Sequence, residues 1–147
     1  FYGVADRIDR IGELGGVRMV DYKSGKDDPS VLGTQDAKAV EVAEAIFGGS
    51  KEKRKKVKAG LQFFIYDKML QENGIASLKD VCNSMYATAG LFAKAPAVCP
   101  LNQAFAQEMD QRLESLLKEV QSLEVPFTMT DDVDNCEWCD FRMICGR

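Results

Sequence analysis

Two carboxylates and an amine lie close together near the start of the chain. Asp21 and Lys23 flank Tyr22 in the run Val20-Asp21-Tyr22-Lys23-Ser24-Gly25. Side chains alternate across an extended strand, so Asp21 and Lys23 project to one face about 7 Å apart. Upstream, Gly3-Val4-Ala5-Asp6-Arg7-Ile8-Asp9-Arg10-Ile11 reads as a second strand, with a turn over residues 12–16 between the two. Such a hairpin brings an aspartate of the first strand beside Asp21. Magnesium-like cations take oxygen ligands, commonly one or two carboxylates, and leave positions open for water and phosphate. Asp6 and Asp21 meet that requirement, and Lys23 could orient an attacking water or neutralise charge in a phosphoryl transition state. Metal-assisted phosphodiester hydrolysis is the chemistry this set suits. The competing reading is a solvated hairpin of alternating charge, whose cross-strand pairs contribute at most about 1 kcal/mol each.

Asp6 and Asp9 are an odd number of positions apart and point to opposite faces of a regular strand, so only one can face the metal. Further along, Gln62 and Tyr66 are four apart in a helical stretch and share a face that could point at the same site; ordinary helix packing would use the same spacing.

Gly3-x-x-Asp6, then Val20-Asp21-Tyr22-Lys23-Ser24-Gly25, then Gln62-x-x-x-Tyr66 follow one another in an order and spacing that resemble PD-(D/E)XK nucleases of the RecB-like group. The chain is most similar to the nuclease domain of AddB-type helicase-nuclease subunits, and is also similar to CRISPR-associated RecB-like exonucleases. The resemblance implies that Asp6 and Asp21 bind Mg2+ or Mn2+, with the Tyr22 carbonyl as a further ligand. It also implies that Lys23 is the catalytic lysine, that Gln62 and Tyr66 assist from the following helix, and that Asp9 is a surface or supporting residue paired with Arg7 or Arg10. The fold it implies is α/β, a restriction-endonuclease-like core with a central mixed β-sheet flanked by helices.

At 147 residues the length suits one domain with a substantial core, and 46% hydrophobic content argues against disorder. No apolar run approaches the roughly 20 residues that cross a bilayer, so a cytoplasmic protein without a membrane partner is expected. The net charge of -4 argues against nucleic-acid binding through overall positive charge. Locally the balance reverses: Lys51, Lys53, Arg54, Lys55, Lys56 and Lys58, with Glu52 among them, give a charge of +5 just ahead of the Gln62 helix. That run could guide DNA phosphates toward the acidic cluster, or be a solvated helix start or loop.

The elements that must position these residues follow from periodicity. Residues 26–30 read as a loop, 35–47 as a helix ended by Gly48-Gly49-Ser50, and 57–72 as a helix stopped at Asn73-Gly74. Residues 83–92 read as a strand. Residues 102–123 form the most regular helix, with Phe105, Met109, Leu113, Leu116, Leu117, Val120 and Leu123 as an apolar stripe expected to pack on the core.

Cys136, Cys139 and Cys145 close the chain with C-x-x-C followed by five residues and a third Cys. Clustered thiolates suit a soft metal centre, and both a [4Fe-4S] cluster and a tetrahedral zinc site generally need four ligands. Similarity to the AddB-type cysteine motif implies a [4Fe-4S] cluster in a larger parent, with its first cysteine upstream of the catalytic strands. Zinc, or three free thiols, are the alternatives. The resemblance thus implies a single nuclease domain, 1–147, excised from a larger protein, without the upstream cysteine or the upstream metal-site His or Glu. The function expected is a DNA exonuclease partnered by a helicase in recombinational repair. The alternatives are a noncatalytic DNA-binding or scaffolding domain of the same fold, and a stand-alone CRISPR-associated exonuclease.

Overall fold

A computed structural model of the protein describes residues 3–12, 16–25, 36–48, 50–77, 80–90, 98–100, 102–126 and 128–147. The chain divides into two compact units, Phe1–Glu114 and Ser115–Arg147.

The first unit is built on a four-stranded sheet in the order β1-β2-β3-β4. Strand β1 (Arg7–Ile11) pairs antiparallel with β2 (Gly16–Lys23), β2 pairs parallel with β3 (Val81–Ala87), and β3 pairs antiparallel with β4 (Val98–Pro100). Parallel neighbours need a long crossover. Here it carries two helices, α1 (Asp36–Gly48) and α2 (Lys51–Glu72); α3 (Gln103–Gln121) follows the sheet. This is the α/β, restriction-endonuclease-like core with a mixed sheet that the sequence implied.

Helix α2 is apolar on two sides, and that doubles its structural role. Ala59, Phe63 and Leu70 pack on Val17 and Met19 of β2 and Val81 and Met85 of β3. Phe64, one residue and about 100° around the helix from Phe63, packs instead with Ala39 and Ala43 of α1 and with Phe105, Ala106 and Met109 of α3. Its ring meets Phe105 edge-on at 6.3 Å, and Lys68 lies over it while pairing with Asp110. Burying each of these phenylalanines stabilises the fold by about 1.5–3 kcal/mol, and α2 is thereby pinned against β2 along the length that carries Gln62 and Tyr66.

Several elements depart from the sequence expectation. β1 starts only at Arg7, so Gly3 to Asp6 are not strand, and Asp6 lies in a bend. Helix α2 begins at Lys51 rather than 57: Ser50 caps it, its hydroxyl accepting from the Lys53 amide at 3.5 Å, and the basic run is the helix's own first two turns rather than a segment ahead of it. Lys and Arg are good helix formers, so a polar run can be helical without apolar periodicity. β3 runs Val81–Ala87 and gives way to a 3-10 turn at Thr88–Gly90; the expected strand end, 91–92, lies outside the described residues, as does the loop 26–30. At the other end of α2 the expected stop is found, with Asn73 as C-cap and Gly74 at φ +65°.

The α3 stripe is buried only in part. Phe105 and Met109 are core, Leu113 packs beside them, but Leu116, Leu117, Val120 and Leu123 are exposed. Apolar periodicity specifies a face, not what covers it. In the second unit, a 3-10 turn at Val133–Cys136 is capped by the Asp132 carboxylate, and Trp138, Phe141, Met143 and Ile144 are exposed. Among the described residues no helix is long and apolar enough to cross a membrane.

Candidate active site

The register of the hairpin decides which face Asp9 takes. Arg7 faces Val20 and Asp9 faces Arg18, which puts Asp9 on the face away from Asp21; Asp6 precedes the strand, in a bend. Asp6 Oδ2 accepts a 2.8 Å hydrogen bond from the Tyr22 amide, which ties it to β2 beside Asp21. Asp9 lies on the other face, where Arg18 and Arg7 grip its carboxylate at 2.7 and 2.6 Å. Their hydrogen bonds hold the Asp9 carboxyl below the usual carboxylate range. Arg7 is thus a partner of Asp9 as expected; the second partner is Arg18, across the strand pair, since Arg10 lies on the opposite face from Asp9.

Asp21 and Lys23 project from the same face of β2 toward α2, where Gln62 joins them. Gln62 Nε2 donates to Asp21 Oδ1 at 2.8 Å, and its Oε1 accepts from Lys23 Nζ at 3.0 Å. A carboxylate only accepts and an ammonium only donates, so the orientation of the Gln62 amide is fixed by its partners. The same Nε2 reaches the Tyr66 hydroxyl at 3.1 Å, and that hydroxyl donates to the Val4 carbonyl at 2.8 Å. The i, i+4 pair of α2 is therefore fastened at one end to the β2 carboxylate and at the other to the segment leading to Asp6.

Gly3 completes that fastening, a role its spacing alone did not show. A Cβ at position 3 would stand 3.0 Å from Tyr66 Cε1, so the bare backbone makes room for the ring. A glycine three residues before the first aspartate was the only available signal.

Asp21 is 4% exposed, and its Oδ2 is buried without a hydrogen bond. Lys23 Nζ lies 2.7 Å from that oxygen, a charge contact whose direction does not make a hydrogen bond. A buried carboxylate oxygen without an aligned donor is the kind of atom a water or cation completes. Two carboxylates are also the donor set a hard dication takes while keeping waters and phosphate oxygens, so Asp6 and Asp21 fit such an ion. Among the described residues no three His, Cys, Asp or Glu side chains gather into a metal-holding group.

Tyr22 sits between Asp21 and Lys23 with its backbone at the site, its amide donating to Asp6; its ring lies on the opposite face, half exposed, edge-on to Tyr86 at 5.6 Å, with Arg7 Nη1 3.4 Å from its hydroxyl. Lys53, Lys55, Lys56 and Lys58 are exposed on α2, while Lys51 and Arg54 are partly buried. Cys136, Cys139 and Cys145 are free thiols that do not assemble into a metal-holding group; the C-x-x-C forms a single turn, with the Cys139 amide donating to the Cys136 carbonyl at 3.2 Å. Three thiolates are one fewer than the four ligands that an iron-sulfur cluster or a tetrahedral zinc ion generally takes. Cys82 is partly buried and its thiol faces the Val17 carbonyl; the Cys99 side chain lies outside the described residues.

A mixed α/β sheet whose central strand presents Asp-x-Lys to a flanking helix defines a restriction-endonuclease-like core. The chain belongs to the PD-(D/E)XK nuclease superfamily, whose family profile matches residues 1–146. Comparison with curated proteins and with solved structures finds no match.

Proposed function

We propose that the protein is a metal-dependent DNA exonuclease, the nuclease module of a cytoplasmic helicase-nuclease acting in recombinational repair. The observation that carries the catalytic reading is Gln62, which holds Asp21 and Lys23 in one hydrogen-bonded set. Asp6 and Asp21 would hold Mg2+ or Mn2+, with the Tyr22 carbonyl as a further oxygen. Such an ion supplies Lewis-acid polarisation of a phosphoryl oxygen and activation of water. Lys23, whose ammonium has three N–H donors and gives one to Gln62 Oε1, has donor capacity left to orient the attacking water or meet charge on the phosphoryl group. Gln62 and Tyr66 keep that amine and carboxylate in place, and the basic run of α2 raises the local concentration of a polyanionic substrate.

The choice of DNA, of exonuclease action and of a helicase partner rests on the resemblance to AddB-type nuclease domains. So does ligation of a [4Fe-4S] cluster by Cys136, Cys139 and Cys145, which predicts stoichiometric iron and sulfide in a purified longer protein. Incubation of end-labelled linear DNA with manganese tests the catalytic reading. Release of short products that stops in Lys23→Ala supports it; DNA binding without any cleavage would favour a scaffolding domain instead.

A further inference from the structure

The six basic residues at the start of α2 are not equivalent, because the helix turns them to different sides. Counting back from Gln62, Lys58 is four residues away, Lys55 seven and Lys51 eleven, which puts all three within about 40° of Gln62 around the helix axis. Tyr66 continues the same stripe in the other direction. Lys56 and Lys53, six and nine residues from Gln62, are turned away by about 120° and about 180°. An independent contact agrees for Lys53: it lines a cavity with Glu41 and Glu44 of α1, Val57 and Arg112.

We infer that Lys55 and Lys58, with Lys51 beyond them, form a track for the phosphates of one nucleic-acid strand running along α2 to the Asp21–Lys23–Gln62 site, and that Lys53 and Lys56 lie outside it. This inference rests on the nuclease reading above and narrows it. Lys55 and Lys58 are exposed. From Lys58 to Lys51 the stripe extends about 10 Å, the length of roughly three phosphates on one strand. The two exposed ammonium groups lie three residues apart on one side of the helix, close enough for neighbouring phosphates of one strand to meet both.

The test uses the full chain, a fluorescent single-stranded oligonucleotide, and calcium in place of magnesium, with anisotropy measured from about 50 to about 200 mM salt. Two doubly substituted proteins are compared, Lys55→Gln with Lys58→Gln, and Lys53→Gln with Lys56→Gln. They have equal net charge and the same helix, and circular dichroism verifies that both fold. The first pair should lose at least about fivefold in affinity and about 1.4 in the slope of log K against log salt, the share of two phosphate contacts on a single strand. The second pair should stay within about twofold, since its charges act only at a distance. Equal losses in the two pairs, a larger loss in the second, or no loss in either would overturn the track while leaving wild-type cleavage and the nuclease reading intact. A wild-type protein that neither binds nor cleaves DNA would sink both.

Discussion

Lys23 and Gln62 are joined across the boundary between β2 and α2 by a 3.0 Å hydrogen bond from amine to amide oxygen. Because the other end of the same amide donates to Asp21, one side chain sets the separation of the carboxylate and the amine. Gln62→Ala should lower kcat for linear DNA by about 100-fold with KM little changed, the cost of letting reacting groups drift from their working geometry. Gln62→Glu should be no better, because it turns a carboxylate oxygen toward Asp21 where an N–H stood. Steady-state cleavage of labelled DNA decides this; a kcat unchanged in both variants would remove Gln62 from the site.

Asp21→Asn should abolish manganese uptake in titration calorimetry, and with it cleavage by more than about 1000-fold, a loss of the size seen when transition-state electrostatics are removed. Stability should fall modestly, since the substitution removes the 2.7 Å charge contact of Asp21 Oδ2 with Lys23 and turns an amide N–H toward a neighbouring donor. A thermal melt separates lost metal binding from lost folding. Manganese uptake as strong in Asp21→Asn as in the wild type would show that the ion sits elsewhere.

Gly3 acts on the site through Tyr66. An added methyl at 3.0 Å from Cε1 obliges the ring to move by a few tenths of an ångström, and the ring carries the hydroxyl that receives Gln62 and reaches Val4. Gly3→Ala should therefore lower kcat several-fold without unfolding the protein. Tyr66→Phe, which removes the hydroxyl, should make the two changes non-additive in a double-mutant cycle. Strict additivity would show that Gly3 acts by another route.

What could be read from the residues alone was the part governed by local periodicity. The alternation that sets Asp21 and Lys23 on one face and Asp9 on the other, the four-residue step from Gln62 to Tyr66, and α1 to within a residue at each end all follow from strand and helix geometry. The start of α2 did not, because a run of lysines has no apolar period to show that it is helical; the cap at Ser50 was the only cue. β4 is three residues long and ends in Pro100, too short and too atypical for a strand pattern. The approach of Gly3 to Tyr66, and the pairing of Asp67 with Asn83, join positions on separate elements that no spacing rule connects.

Asp67 supplies the fold's clearest pH dependence. It is fully buried on α2, and burial pushes its carboxyl up to about 7, against a hydrogen bond from Asn83 Nδ2 at 2.8 Å that pulls it down. Asp67 Oδ1 and Asn83 Oδ1 are both buried acceptors without a partner; a proton on Asp67 turns one of them into a donor. The folded value is raised above the unfolded one, near 3.8. Its stabilising contribution is therefore complete below pH 4 and is lost as pH rises to about 7, by an amount on the order of a few kcal/mol. Urea unfolding of the wild type at pH 5 and pH 8 should show that loss. In Asp67→Asn, whose amide stays neutral and still offers one donor and one acceptor, the loss should disappear, and at pH 8 the variant should be the more stable of the two. Parallel pH profiles for both proteins would mean that Asp67 is charged in the folded state throughout, with its buried oxygen satisfied by a group other than a proton.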